Sequence, residues 1–380
     1  MSQSDNPASQ TPPEPPPPRA GQAPPATVPC QGAPAGFRAR LGCYLRRCAT
    51  IRDYPSRVEC ALAGLACVAI VLLVWHVLTV GEPEQRIIDS YTLPSLGETA
   101  RSFHSLWFDR ALARSAFSSL ERVLGGFLLA IAVGVPLGVA AGAFKRLYAF
   151  LKPLSIFGRN IPIAALIPLT LIWFGLGEAQ KVMFIFLAAA PFIFFDSASA
   201  VDSVPDIYLD TAYTLGARFT PRRGLAWAGL IALAYGLVFG LAYLAVAEDP
   251  GTAEADAALR VAWNRELAKV AGVGFVLGFL LWFPIVAFQS VRKVLFALAL
   301  PEIVNSLRLL FGLAFGYIML AEVINAEHGL GAIIITSQRR GPREHIYLAL
   351  IIIAVLAFVI DRGILAAQRR LFPYRELGAK

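Results

Sequence analysis

The chain has 380 residues, of which 57% are hydrophobic and only 16% are charged, and its formal net charge is +8 at pH 7. The apolar residues fall in long uninterrupted blocks, which excludes a protein that exposes most of its surface to water. The composition therefore predicts an integral membrane protein. Basic residues flank the apolar blocks and form no separate stripe, so the positive charge does not indicate a nucleic-acid-binding protein.

The N-terminal region divides into two segments before the first apolar block. Residues 1–36 hold eleven of the 26 prolines and almost no bulky apolar residue, which predicts a disordered cytoplasmic tail. Docking of a partner to its proline motifs is the alternative. In residues 37–57 an apolar residue recurs every three or four positions, and arginines lie elsewhere around the helix. This pattern predicts an amphipathic helix lying on membrane lipid.

Apolar blocks long enough to cross a bilayer, which takes about 20 residues in a helix, follow along the chain. One of them is short and contains Pro162 and Pro168, so we expect it to pack inside the helix bundle. Eight crossings would place both termini on one side, and the excess of Lys and Arg on that side predicts that it is the cytoplasm. The predicted crossings are residues 58–79, 121–143, 160–177, 181–200, 225–247, 267–289, 303–325 and 346–366.

Small residues repeat every four positions in the second block, at Gly134, Gly138 and Gly142. This spacing places them on one helix face, where a second helix can approach closely, so we predict helix packing there. The pairs Gly236 with Gly240 and Gly274 with Gly278 repeat the spacing in two later blocks.

Sequence motifs for catalysis and for metal binding are missing. The chain has no G-x-x-x-x-G-K-[S/T], H-E-x-x-H or G-x-S-x-G pattern. Its four histidines have no metal-site spacing, and its five cysteines lie before or within the first apolar block. We therefore expect no enzyme, no catalytic residue, no metal and no cofactor.

Two polar stretches far apart in the sequence look like halves of one cytoplasmic loop. The first runs from Asp210 to Ala217 and the second from Leu298 to Pro301. Gly216 permits a sharp reversal, and Leu300-Pro301 is predicted to begin the next helix, where the missing N–H of proline matters little. On spacing alone, an ordinary connector is an equally good interpretation.

Joined, the two halves resemble the loop by which permease subunits of ABC importers contact their ATPase, whose pattern is E-A-A, three residues, G, nine residues, I-x-L-P. Asp210, Thr211 and Leu298 depart from that pattern mildly. The resemblance extends from about Leu93 to Tyr374 and is closest to the branch for nitrate, sulfonates and taurine. The supporting stretches are residues 120–126, 133–138, 162–169, 173–177, 214–217, 300–301, 321–324, 329–331 and 360–361.

The resemblance implies a fold, a set of partners and a set of coupling residues. The fold would be an all-α polytopic bundle of about eight transmembrane helices in the bacterial inner membrane. The partners would be two copies of an ABC ATPase subunit, an extracytoplasmic solute-binding protein and a second copy of the permease. The implied ATPase-coupling residues are Asp210, Thr211, Ala212, Gly216, Ala217, Leu300 and Pro301.

A two-span insert interrupts this family-like core. We divide the chain after residue 57 into a first permease part (58–224), an inserted transmembrane hairpin (225–289), the remaining permease part (290–372) and a cytoplasmic tail (373–380). A hairpin leaves and re-enters on one side, so it preserves the orientation of all later helices. We expect it at the lipid-facing periphery, with its polar tip (248–266) outside.

Glu322 is the acidic residue set most clearly within an apolar block, and such a residue usually faces a bundle interior or a water path. We predict a place in the translocation path; a packing and hydrogen-bonding role near the outer end is the alternative. Arg339, Arg340 and Arg343 lie on the last outer loop, where they would attract an anionic solute or an acidic binding protein unless they are ordinary solvated charges.

The sequence thus predicts the permease subunit of an ATP-driven importer for a small polar, anionic solute, working by alternating access. An ion-coupled secondary transporter is a second hypothesis, but it needs several ionisable residues at mid-membrane and only Glu322 qualifies. A membrane scaffold without transport is a third, and it would have no ATPase partner.

Overall fold

A computed structural model describes residues 56–81, 86–108, 111–246, 257–325, 328–340 and 342–373. The predicted tail 1–36, nearly all of the predicted interfacial helix 37–57, half of the insert's tip and the last seven residues lie outside these ranges.

The described residues are helical nearly throughout, which confirms the predicted all-α class. The one β pairing within these ranges is an isolated antiparallel bridge between Phe219 and Phe288. The helices are α1 (Arg57–Leu78), α2 (Leu96–Phe108), α3 (Leu112–Ala143), α4 (Lys145–Asn160), α5 (Leu166–Phe174), α6 (Glu178–Asp202), α7 (Asp206–Thr214), α8 (Pro221–Val246), α9 (Ala257–Ala287), α10 (Phe296–Asn325), α11 (Leu330–Arg340) and α12 (Glu344–Leu371).

Seven of the described helices are long and apolar enough to cross a membrane. They are α1, α3, α6, α8, α9, α10 with the short π-helix Val291–Leu295 before it, and α12. An eighth crossing is available if the bent pair of α4 and α5 counts as one span. The apolar side chains of α1, taken by itself, are exposed along its length, as contact with lipid requires.

The predicted crossing at 160–177 is wrong as a single helix. Helix α4 ends at Asn160, and the chain bends by 90° before a 3₁₀ turn and α5. The cause is Pro162, which excludes the helical conformation at the preceding Ile161, whose ψ is 129°. Pro162 and Pro168 are both exposed, so the prediction that this segment packs inside the bundle is wrong within this chain.

The two ends of the bent pair nevertheless reach opposite ends of α6. Lys145, the first residue of α4, forms an ion pair with Asp202, the last residue of α6. In α5, Thr170 accepts a hydrogen bond of 3.0 Å from Gln180 in the first turn of α6. Because α6 is 25 residues long and itself a candidate crossing, the bent pair runs its whole length. Counted as one broken span, the pair brings the candidate crossings among the described helices to eight.

Helices α3 and α6 form the central contact of the bundle, and the repeated glycines make it possible. A Cβ at Gly134 would lie 2.9 Å from the Ile193 side chain, and one at Gly138 would lie 2.5 Å from the Phe194 carbonyl oxygen. A Cβ at Gly142 would be 2.7 Å from Val201. All three distances are too short for a real side chain, so the prediction of close helix packing is confirmed.

Helices α8 and α9 pack against each other as an antiparallel pair. Gly274 and Gly278 lie against Phe239 and Tyr235, where an added Cβ would come within 2.7 Å of each. A Cβ added at Gly236 would lie 3.0 Å from the Ala271 carbonyl oxygen. The glycines identified in the sequence therefore line this contact.

The segment before α3 is fixed by an ion pair at the start of α2. Ser95 and Glu98 form a reciprocal capping box, and Arg86 contacts both carboxylate oxygens of Glu98, the shorter distance being 2.9 Å. The hydrogen bond from Arg86, helped by the Ser95 N–H, lowers the pKa of Glu98 from its usual 4.5 to about 2. Further along, Tyr347 of α12 donates to the Thr92 carbonyl at 2.6 Å.

This pKa shift predicts how the contact depends on pH. The pKa of Glu98 is lower in the folded state than in the unfolded chain, so the stabilisation is complete above the unfolded value and is lost as pH falls through the folded value. We expect the difference in melting temperature between the wild type and Glu98→Gln to stay constant from about pH 8 to 5 and to shrink at lower pH. A difference that is the same at every pH would contradict an ionic contact.

Candidate functional site

Helix α7 and the turn after it form the first half of the interrupted loop. Gly216 has φ of 83°, in the left-handed region that glycine adopts without strain. The Ala217 N–H donates to the Ala212 carbonyl at 2.9 Å, and the Gly216 N–H donates to the Tyr213 carbonyl at 3.0 Å. These two bonds define a Schellman motif, which ends α7 and reverses the chain. The predicted reversal at Gly216 is confirmed.

The second half of the loop returns to this turn because the base of the insert is closed by backbone pairing. The Thr220 N–H donates to the Ala287 carbonyl at 2.9 Å, and the Gln289 N–H donates to the Arg218 carbonyl at 3.4 Å. The ring of Phe288 packs 4.8 Å from that of Phe219 and 5.3 Å from that of Phe144 in the core. The insert thus leaves and re-enters the loop at one point, and the loop stays continuous in space.

Between the two halves lies a groove of about 490 Å³, open to the surface. Leu215 is its most exposed apolar residue, at 83%. Leu298, from the second half, is 43% exposed. The groove is lined by Tyr208, Thr211, Ala212, Leu215, Gly216, Ala217, Gln289, Lys293, Val294, Ala297 and Leu298.

The structure separates the predicted coupling residues into three groups. Asp210, Thr211 and Gly216 are exposed, while Ala212 is buried against the groove floor and Ala217 is half-buried. The Thr211 hydroxyl is occupied within the helix, donating to the Ile207 carbonyl at 2.7 Å. Leu300 and Pro301 lie beyond this groove; Pro301 lines a neighbouring cleft of about 300 Å³ that shares Tyr208 and Leu298 with it.

The prediction that Leu300-Pro301 begins a helix is wrong. Helix α10 begins at Phe296, directly after the π-helix, so Pro301 lies inside it. Pro301 is buried, and its carbonyl accepts a hydrogen bond of 3.3 Å from Gln368 of α12. This bond ties α10 to α12 at Pro301, so the proline is part of a helix–helix contact inside the bundle. The exposed residues of this half are Lys293, Ala297 and Leu298, of which the motif marks only Leu298.

A second cluster of functional groups lies in the other half of the bundle, around Glu322 of α10. The Glu322 side chain is fully buried, and it accepts hydrogen bonds of 2.7 Å from Arg122 and from Ser119 in α3. The Gly331 N–H donates to its other oxygen at 2.9 Å. Arg122 also pairs with Glu178 of α6, which in turn pairs with Lys181 at 2.8 Å. We call these four charged residues, Arg122, Glu178, Lys181 and Glu322, the charge cluster; the Glu178 side chain is 50% exposed and the other three are buried.

Two glycines after α10 allow the chain to pass over Glu322. Gly329 has φ of 140°, and a Cβ added there would lie 2.6 Å from the Glu322 carboxylate. A Cβ at Gly331 would lie 2.7 Å from the Glu322 Cβ. The Leu330 N–H between them donates to the Ser119 hydroxyl at 2.9 Å. The Gly-Leu-Gly stretch is therefore a cradle for a buried carboxylate.

These contacts bear on the two roles considered for Glu322. Its oxygens are occupied by three donors, and the formal charges of the cluster cancel, as a buried network requires. The geometry favours the hydrogen-bonding role named as the alternative, and a place in the translocation path stays a prediction. Sequence analysis did not identify Arg122, Glu178 or Lys181 as partners of Glu322. The sequence offered one indication that these residues belong together: Arg122, Glu322 and Gly329 each lie in a stretch that carries the family resemblance.

Sequence and structure together define a multi-pass helical membrane permease. Residues 134–222 match the family described as the binding-protein-dependent transport system inner membrane component, and the match ends in the first turn of α8, where the insert begins. The chain thus contains a domain of this family, and its relatives include ABC importer permeases named for taurine, aliphatic sulfonates and nitrate.

Two curated relatives and one solved structure are similar to this chain. The chain is 25% identical over 268 residues to the taurine transport system permease protein TauC of Escherichia coli, covering 70% of this chain and 73% of that protein. It is 30% identical over 154 residues to the nitrate import permease protein NrtB of Synechocystis, covering 39% and 54%. Among solved structures, a chain of the inward-facing methionine ABC transporter MetNI is 18% identical, with a TM-score of 0.47 over 70% of this chain and 97% of that one.

Proposed function

We propose that this permease subunit forms the translocation path for a small anionic solute and is driven by two ATPase subunits that bind the groove beside Gly216. The observation that carries the proposal is the rejoined loop: the Schellman turn and residues 289–298 form one exposed groove although the insert separates them in sequence. An ordinary connector has no need of a fixed turn or of backbone pairing at its base.

Motion of a partner in this groove would be transmitted to the core along two routes. Helix α7 follows α6 after a connection of three residues, so a displacement of α7 acts directly on the end of α6. The groove's other wall leads through the π-helix into α10, where Ala299 and Ile303 belong to the hydrophobic core. Since α6 and α10 both pack in the core, ATP-driven closure of the partners would reorient these helices in an alternating-access cycle.

The proposed solute class comes from the relatives. TauC is named for taurine and NrtB for nitrate, and each of these solutes carries an oxyanion. In this chain Arg339 is exposed at the end of α11, whereas the Arg343 guanidinium is stacked 3.6 Å from the Tyr91 ring. Arg339 is thus the more accessible of these two for attracting an anion.

The remaining partners and the orientation belong to the same proposal. An extracytoplasmic binding protein would deliver the solute, and two permease copies would enclose the path. Both termini would be cytoplasmic, because eight crossings return the chain to its starting side and the basic residues Lys145, Arg218 and Lys293 then lie inside.

Site-specific crosslinking tests the ATPase-binding groove. In a background without native cysteines, a cysteine at Leu215 or Leu298 should crosslink to the ATPase subunit that co-purifies in mild detergent, because both side chains are exposed at the groove. A cysteine at Leu233, exposed on the apolar face of α8, should not crosslink. An assembled complex without a crosslink at any position from 210 to 217 or at 298 would refute the proposed binding site.

A further inference from the structure

Helix α3 has a break in its backbone hydrogen bonding at Pro136. This proline lies inside the helix and has no N–H, so it cannot donate to the carbonyl of Ala132, four residues earlier. Pro136 is buried in a candidate membrane crossing, where water is not at hand to replace the missing donor. The Ala132 carbonyl therefore needs a partner from elsewhere in the protein.

That partner comes from the inserted hairpin. The Tyr235 hydroxyl of α8 donates to the Ala132 carbonyl oxygen at 2.5 Å. The Trp282 indole N–H of α9 donates to the same hydroxyl at 2.8 Å. Both helices of the insert thus take part in one chain of hydrogen bonds that ends on the core helix α3.

Packing around this chain holds Tyr235 in place. Gly278 of α9 lies directly against the Tyr235 ring, since a Cβ there would be 2.7 Å from it. The Trp282 ring packs edge-to-face against Phe296, at the start of α10, with 6.0 Å between the ring centroids. The Tyr235 hydroxyl is therefore held in position by contacts from both helices of the hairpin.

We propose that Tyr235 is a positioning residue that completes the hydrogen bonding of α3 at Pro136 and attaches the insert to the transport core. The insert is then a structural part of the permease, with one face against α3 and its other face toward lipid. The exposed apolar residues of α8, among them Leu230, Leu233 and Leu237, lie on that other face. This proposal does not depend on ATPase binding at the Gly216 groove.

A double-mutant cycle tests the link between Tyr235 and Pro136. Tyr235→Phe should lower the melting temperature of the purified protein in detergent by about 2 to 4 °C, since it removes the donor to Ala132. Pro136→Ala restores a backbone N–H at position 136, so in that background Tyr235→Phe should lower the melting temperature by less than half as much. Equal effects of Tyr235→Phe in the two backgrounds would overturn the proposal.

Two further variants separate this role from general loss of packing. Tyr317→Phe removes the hydroxyl of a half-buried tyrosine in a candidate crossing that makes no side-chain hydrogen bond within the part of the chain that the structure describes, and it should leave the melting temperature unchanged. Trp282→Phe removes the outer bond of the chain and part of the ring packing against Phe296 but leaves the donor to Ala132, so its effect should be the same with or without Pro136→Ala. A Trp282→Phe effect that Pro136→Ala suppresses as strongly as that of Tyr235→Phe would show that the rescue is not specific to the Ala132 carbonyl.

Discussion

Replacing Arg122 by alanine is expected to abolish most of the yield of folded protein. The change leaves the Glu322 carboxylate fully buried without its counter-ion and also removes one of the two cationic partners of Glu178. Breaking a buried ion pair by deleting one member costs about 3 to 5 kcal/mol, a large part of the stability of most proteins. The measurement is the yield of monodisperse protein in detergent, compared with Arg114→Ala, which changes an exposed arginine on the same helix.

A charge-balanced double variant distinguishes structure from transport. Arg122→Met combined with Glu322→Leu removes both charges, so it should recover part of the yield lost in Arg122→Ala. If the cluster is structural, the recovered protein should still transport solute in proteoliposomes with the partner ATPase. A well-folded double variant without transport would instead support the predicted place of Glu322 in the translocation path.

The sequence was sufficient for the parts of this fold that depend on local pattern. Uninterrupted apolar blocks predicted the crossings, because a lipid-exposed helix must be apolar along its whole length. Gly134, Gly138 and Gly142 predicted a close helix contact, because the spacing places them on one face whatever the partner is. Gly216 predicted a reversal, because few other residues adopt its left-handed conformation.

Features that depend on distant partners were not predictable in this way. Arg122 and Glu322 are 200 positions apart, and no periodicity relates them. The bend after Asn160 followed from Pro162, but the course of α4 and α5 along α6 required the contacts at Asp202 and Gln180.

Pro136 and Pro301 show why rules based on local sequence fail inside a packed helix bundle. Pro301 was expected to begin a helix, yet it lies inside one, where Gln368 of α12 bonds to its carbonyl. Pro136 likewise lies within α3, and Tyr235 of the insert supplies the donor that its neighbour Ala132 lacks. In water a proline usually ends a helix, whereas packed helices can hold it inside one, and at Pro136 a neighbouring helix replaces the lost bond. Tertiary contacts therefore decide where these helices begin.

A valine at Gly216 is expected to lower transport about 5- to 30-fold while membrane insertion persists. A left-handed backbone conformation costs a residue with a Cβ about 1 to 2 kcal/mol. This cost would reduce the population of the Schellman turn by the same factor of about 5 to 30. No atom lies within 4 Å of a Cβ built at Gly216, so the effect would come from backbone conformation and not from a clash. Solute uptake and ATPase co-purification are the two measurements, and both should fall together if the turn is part of the binding surface.

Gly216→Asn is the matched control, because asparagine enters the left-handed region far more readily than valine and adds a side chain of similar size. It should retain most of the transport and most of the bound ATPase. If the asparagine and valine variants lose transport equally, the side chain and not the turn conformation is responsible, and the groove then requires glycine for close approach of the partner. If neither variant loses transport, the force from the ATPase reaches α6 and α10 without passing through this turn, and the coupling role proposed for the rejoined loop is wrong.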